Sequence, residues 1–270
     1  MGVGETVKIE KIRSGGKRQE RDDVIPGEIL LHLYLNQQKI CIISCSPEDL
    51  TELAAGYVVS HGYVDDYESI EIMEICRSDT GDVDEKGNNN AIDNIPVKIR
   101  TGKKTNIRMA PGYISSGCGS LDEKGAAQIP DPMDSDIKID SEVILGLNKK
   151  NLEVQEHKKA LGGLHSATLF DLRGELLLVR EDIGRHNCLD KLIGHMLING
   201  MDVSDKIMFT SGRISLDLVL KAARINIPIV VTNSSVTHSA VKLAEKLGLI
   251  VIGYARGNRF NIYSYPDRII

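Results

Sequence analysis

The 270-residue chain has no tryptophan and only three phenylalanines, so its core has to be built from leucine, isoleucine, valine and alanine. Long apolar runs are missing as well, and no secretory leader opens the sequence; both point to a cytoplasmic protein with no membrane segment. "MGVGET" fits the loose myristoylation pattern, but Glu5 and the lack of a following polybasic stretch argue against it. A surplus of positive charge is absent: the net charge of −5 excludes a generally basic nucleic-acid binder. The five cysteines form an odd, scattered set, which reads as free thiols in a reducing compartment and not as a disulfide framework. Several motifs are missing too. Without H-E-x-x-H, C-x-x-C or the paired motifs of zinc deaminases, a zinc site is not expected. Without a Walker loop, a G-x-G-x-x-G turn or a G-x-S-x-G elbow, the usual nucleotide-binding and serine-hydrolase signatures are gone.

What is present changes character along the chain. "GEILLHLYLNQQKICIIS" alternates around Asn36-Gln37-Gln38 and predicts a hairpin. "SPEDLTELAAGYVVSHGYV" predicts a helix with Ser46 as cap and Pro47 as its first residue, stopping at Gly62. "SIEIMEIC" and "IPVKIRT" read as further strands. The polar insert between them faintly resembles a calcium loop from Asp82, but Lys86 stands at a ligand position, and an exposed hairpin tip is expected. From Ala110 to Asp140 the composition turns to Gly, Ser, Pro and Asp, the mark of a long functional loop. Beyond it comes one helix from a Ser141 cap to Gly162. Paired strands around Arg173-Gly174 follow, and then strand–helix units that imply a largely parallel sheet made mixed by the opening hairpin.

Ligands of such sheets bind beyond the carboxyl ends of the strands. Each of those turns carries chemistry: "EDIGRHN" (181–187), "TSGRIS" (210–215), "TNSSVTHS" (232–239) and "YARGNR" (254–259). Small residues and arginine near helix starts make an anion site, and Arg185, Arg213, Arg256 and Arg259 together are placed to grip phosphate or acidic oxygens. Taken singly, Ser215, Ser234 and Asn187 read as plain helix caps and Asp182–Arg185 as a structural ion pair. Several loaded turns on one edge favour a site. His186 is the histidine nearest that edge, whereas His32, His61 and His195 read as structural or surface residues. His165 reaches the edge only if its loop folds back. Cys118, between glycines in "SSGCGS", is the accessible thiol, while Cys41, Cys45 and Cys188 read as small core residues.

In order, "SPEDLTELAAGYVVSHGYV", "GGLHSA", "EDIGRHNCLDKLIG", "SGRISLDLVLKAA", "IPIVVTNSSVTHSAVKLAE" and "GYARGNRFNIYS" closely resemble the FdhD/NarQ family, the accessory sulfurtransferases of formate dehydrogenase. The resemblance implies a sulfur carrier that receives a persulfide from a cysteine desulfurase. It would pass the sulfur to the molybdenum of the bis(molybdopterin guanine dinucleotide) cofactor, with formate dehydrogenase as client and a homodimer as the working form. It also implies an α/β fold in two domains, without zinc. Residues 1–112 would be the smaller β-rich α+β domain, 113–140 the loop carrying Cys118, and 141–270 a cytidine-deaminase-like three-layer α/β/α domain with a mixed sheet. The persulfide position of the family's S-S-x-C-G-x-C-G loop falls on Cys118, and the cofactor-binding stretch falls on Tyr254, Ala255, Arg256, Gly257, Asn258 and Arg259. Asp182, Arg185, His186, Ser211, Gly212, Arg213 and Ser234 would complete the pocket. Asp182 and Glu181 would either bind guanine or pterin N–H groups or orient Arg185 and His186. At the family's second loop cysteine this chain has Leu121. That substitution keeps a rival open, a chaperone that delivers the cofactor without sulfur transfer.

Overall fold

The computed structural model describes residues 2–76, 93–102 and 129–270, with the backbone of 112–114 between them. Cys118, Leu121 and the insert at Asp82 lie outside the described residues.

The chain opens with a hairpin that the sequence reading did not anticipate, β1 (Gly4–Ile12) and β2 (Arg18–Pro26), paired along their full length. Its strands are charged on both faces, so the alternation that betrays a half-buried strand is missing. The usable signal was Gly15-Gly16, both at positive φ in the turn. The predicted hairpin follows as β3 (Ile29–Leu35) and β4 (Gln38–Cys45), turning through Asn36 and Gln37, both left-handed. With β5 (Ile70–Ile75), β6 (Asn94–Thr101) and β7 (Gly112–Ile114) they form a mixed five-stranded sheet in the order β5-β6-β3-β4-β7. β7 therefore corrects the start of the long loop: its first residues lie parallel to Cys41–Ile43 as an edge strand.

Helix α1 (Leu50–Ser60) covers that sheet, its buried Leu53, Ala54 and Val58 packing on Leu31, Leu33 and Ile43. It starts later than the Ser46-Pro47 signal suggested. Asp49, in the left-handed region, is its N-cap. Ser46 is drawn elsewhere: its N–H donates to Asp182 at 3.0 Å and its hydroxyl accepts from the Ile183 N–H at 3.2 Å.

The second half is a six-stranded sheet, in the order β13-β12-β11-β10-β8-β9. β10 (Ile207–Thr210), β11 (Ile229–Thr232) and β12 (Ile250–Arg256) are parallel. β8 (His165–Phe170), β9 (Leu176–Asp182) and β13 (Arg259–Ile262) join antiparallel to their neighbours. Where one helix was expected over 141–162 there are two, α2 (Ser141–Val154) and α3 (Glu156–Leu161). They break at Gln155, whose buried amide donates to Ser166 Oγ at 2.7 Å. Asp140, not Ser141, caps α2 by accepting from the Glu142 N–H.

Ile144 and Leu147 of α2 pack with Phe170, Phe209 and Val231 on one face of the sheet. On the other face, α4 (Arg185–Ile198), α5 (Leu216–Arg224) and α6 (His238–Leu247) enclose Leu169, Met208 and Val230. α4 also crosses α1 of the first half, and the two backbones nearly touch. A Cβ on Gly56 would lie 1.8 Å from the Asp190 carbonyl oxygen, and one on Gly194 the same distance from that of Glu52. Only glycine fits at such a crossing.

Candidate functional site

A cavity of about 370 Å³ lies beyond the carboxyl ends of β10, β11 and β12, lined by Asn148, Leu152, Ser211, Asn233, Ser234, Ser235, Tyr254 and Arg256. Two threonines shape its floor from the same strand position. Thr210 Oγ1 accepts from the Gly212 N–H at 3.1 Å, and Thr232 Oγ1 accepts from the Ser234 N–H at 3.0 Å while donating to the Gly212 carbonyl at 2.6 Å. These buried hydroxyls turn the chain sharply after each strand and present the serines to the opening. The Asn233 amide donates to Asn148 Oδ1 at 3.0 Å, tying the β11 turn to α2. Tyr254 adopts a left-handed φ of 53° and donates its N–H to the Ser234 carbonyl at 2.8 Å.

Gly257 and Asn258 make the turn from β12 to β13, which sets Arg256 and Arg259 directly opposite each other, both exposed. Neither forms an ion pair among the described residues. Like charges facing across a strand pair are unfavourable unless an anion answers them. The Arg256 guanidinium lies 5.8 Å from the Tyr254 ring centre.

His165 reaches this edge because β8 runs antiparallel to β10, so that its first residue sits at the strand tips. Its Nδ1 is 3.2 Å from Ser211 Oγ, which also accepts the Ser166 N–H at 2.9 Å. Burial, followed by Lys158 and Arg185, holds the His165 imidazole below its ordinary pKa. The neutral imidazole is accordingly favoured.

Of the residues singled out in the sequence, Ser211, Ser234, Tyr254 and Arg256 come together around this cavity. Gly257 lines the neighbouring groove over α2. Others go elsewhere. Ala255 is buried in the core beneath α2. Arg213 is exposed and Arg185 half-buried, its stem against Gly212, where a Cβ would meet it at 2.9 Å; neither lines the cavity. Arg185 Nε and Ser215 Oγ are buried without a hydrogen-bond partner.

Asp182 is fully buried and its oxygens are committed: to Lys191 Nζ at 2.7 Å, the Ser46 N–H at 3.0 Å, and the Gly184 N–H and Asn187 amide at 2.8 Å each. It neither faces the cavity nor orients Arg185 or His186. Burial pushes the Lys191 ammonium down, but the Asp182 carboxylate, with Cys45 and Cys188 beside it, raises it on balance. Glu181 receives the His157 and Lys158 N–H groups at 3.0 and 2.9 Å.

His186 is buried among α4 and α5, 3.8 Å from Asp217, which faces Lys221 at 3.7 Å. Burial and Lys221 drive its pKa down to about 4. Lys221 also grips Asp190 with both oxygens at 2.8 Å, and Ser60 of α1 donates to the same carboxylate at 2.8 Å. Among the described residues, no group of three or more His, Cys, Asp or Glu side chains is placed to hold a metal ion. No helix among them is long and apolar enough to cross a membrane.

A model of the FdhD/NarQ family matches residues 26–270. The chain belongs to the FdhD/NarQ family. Among its relatives are the sulfur carrier protein FdhD of Bacillus subtilis, 36% identical and covering 94% of this chain and 93% of that protein. The FdhD of Sulfolobus acidocaldarius is 32% identical over 97% of both. The crystal structure of a candidate formate dehydrogenase accessory protein from Desulfotalea psychrophila superposes over the full length of both chains with a TM-score of 0.76 at 26% identity.

Sequence reasoning missed Asn148, Asn233 and Ser235 as individual residues. Asn233 and Ser235 belong to the turn "TNSSVTHS" after β11. Asn148 had no local signal, since it arrives from a helix on the opposite layer.

Proposed function

We propose that this protein is a sulfur carrier that loads Cys118 with a persulfide from a cysteine desulfurase. The sulfur then passes to the molybdenum of a bis(molybdopterin guanine dinucleotide) substrate held at the strand tips, for use by formate dehydrogenase. The observation that carries the reading is the facing pair Arg256 and Arg259 at the mouth of a serine- and asparagine-lined cavity. That pair calls for an anion, and the hydroxyls and amides behind it suit a phosphate-linked base. A cavity of about 370 Å³ matches one nucleotide-sized end of such a substrate, not the whole of it. Neutral His165 beside Ser211 supplies a hydrogen-bonding edge there without adding positive charge.

Loading is a thiol exchange: the Cys118 thiolate attacks the donor's outer sulfur and the donor's thiolate leaves. Delivery of that sulfur as sulfide consumes two electrons, and Leu121 cannot contribute them, so an external thiol or the substrate must. In this reading the layered second half is a cytidine-deaminase-like domain used without zinc, and the protein works in the cytoplasm as a homodimer.

The second reading, a chaperone that delivers the cofactor without sulfur chemistry, is favoured by Leu121 alone. Incubation with cysteine and a cysteine desulfurase, followed by mass spectrometry of the peptide bearing Cys118, separates the two. An added sulfur on Cys118, lost in Cys118→Ala, supports the carrier. No adduct under conditions that label a two-cysteine relative supports the chaperone.

A further inference from the structure

Apart from the strand-tip cavity, we propose that the free edge of β9 is a docking strip for an extended basic peptide, which adds to the six-stranded sheet as a further strand. The sheet ends at β9, and no described residue pairs with its outer side. Sheet edges on stable proteins are usually blunted by lysine, proline or short length. β9 runs for seven residues with no lysine or proline, interrupted by one bulge at Leu177, and it exposes Leu176 at 41%. Its one cation, Arg180, is already engaged within the chain: it donates to Glu52 at 2.8 Å and to the Val179 carbonyl at 2.8 Å.

A groove of about 540 Å³ follows this edge, between the start of α1 and the break from α2 to α3, with Leu176 and Val179 at its base. Its rim carries five carboxylates, Glu48, Asp49, Glu153, Glu156 and Glu181, against only Arg180 and His157. Glu48 pairs with His157 at 3.2 Å and Asp49 with Arg180 at 3.4 Å. Glu153 and Glu156 are exposed and make no ion pair among the described residues.

The three features select one occupant. An open backbone edge takes an extended segment, Leu176 and Val179 in the groove take apolar side chains, and the surplus of carboxylates takes lysine or arginine between them. A second copy of this chain fits poorly, because β9 against β9 would bring two acidic rims together. Nucleic acid is repelled for the same reason.

The test uses the full chain and a fluorescein-labelled peptide of alternating lysine and valine, read by fluorescence anisotropy at low salt. It should bind at least about tenfold tighter than a glutamate–valine analogue, and N-methylation of alternate amides should weaken it about tenfold, as lost strand pairing requires. Amide exchange within 176–181 should slow on binding. The exposed double substitution Glu153→Lys with Glu156→Lys should reverse the preference between the two peptides, with circular dichroism confirming the fold. The proposal is overturned by no binding, by equal binding of the N-methylated peptide, or by an unreversed preference. Exchange already slow at the outward-facing amides of Val179 and Glu181 in the protein alone also overturns it, since the edge is then covered by another part of this chain or by a second copy.

Discussion

Asp182→Ala should destabilise the protein strongly without touching its ligand. The substitution leaves the fully buried Lys191 ammonium facing an empty site and strips acceptors from the Ser46 and Gly184 N–H groups and the Asn187 amide. Breaking a buried pair from one side costs about 3–5 kcal/mol. For a chain of this length that corresponds to a fall in Tm of roughly 6–10 °C, at about 2 °C per kcal/mol. The reverse truncation should hurt less. In Lys191→Met the carboxylate keeps its three other donors, so its charge stays solvated by hydrogen bonds. The double variant Asp182→Ala with Lys191→Met should therefore recover part of the Asp182→Ala loss, giving a clear coupling energy in a double-mutant cycle. Urea denaturation followed by circular dichroism measures all four proteins. The reasoning fails if Asp182→Ala costs under about 1 kcal/mol, or no more than Lys191→Met. It also fails if the folded Asp182→Ala protein loses guanine-nucleotide binding, which would place the carboxylate in the pocket after all.

Gly194→Ala should force α1 and α4 apart, since its Cβ would stand 1.8 Å from the Glu52 carbonyl oxygen, and calorimetry should show a loss at or above the about 3 kcal/mol upper range of ordinary overpacking. Acid should destabilise the protein below pH 6.5. Unfolded His186 takes up its proton near that value, the buried imidazole only at about 4, so folding loses about 3 kcal/mol as pH falls through the window. His61, held down to about 3 by burial and then Lys221, extends the fall; a Tm that stays flat between pH 7 and pH 4.5 would contradict this. Calorimetric titration with GDP should show weaker binding for Arg256→Ala and for Arg259→Ala, by roughly tenfold each if both answer the same phosphate and with unchanged Tm.

Much of the fold was legible where its signals are local. In the first half this holds for the hairpin at Asn36-Gln37, and in the second for the strand–helix alternation and the turns after β10, β11 and β12, which follow from periodicity and from the small residues such turns need. The motif "EDIGRHNCLDK" was legible as important and misread in detail. Its helix α4 is sandwiched between the sheet and α1, so nine successive residues from His186 to Gly194 are buried and no face is left for water. A charged residue on such a helix cannot be a solvated one; it must be paired across elements. Lys191 turns to Asp182 and, through it, to Ser46 of the first half; Asp190 turns the other way, to Lys221 of α5 and Ser60 of α1. Sequence spacing cannot show this, because Ser46 and Asp182 are 136 residues apart. The two buried pairs, with the glycine crossing between them, bolt the five-stranded sheet to the layer whose strand tips form the cavity. A change felt by α1 is therefore carried into the helix that begins directly beside those tips. This gives Asp182, Asp190 and Lys191 a mechanical task, and for Asp182 it takes the place of the ligand contact that its position in the chain suggested.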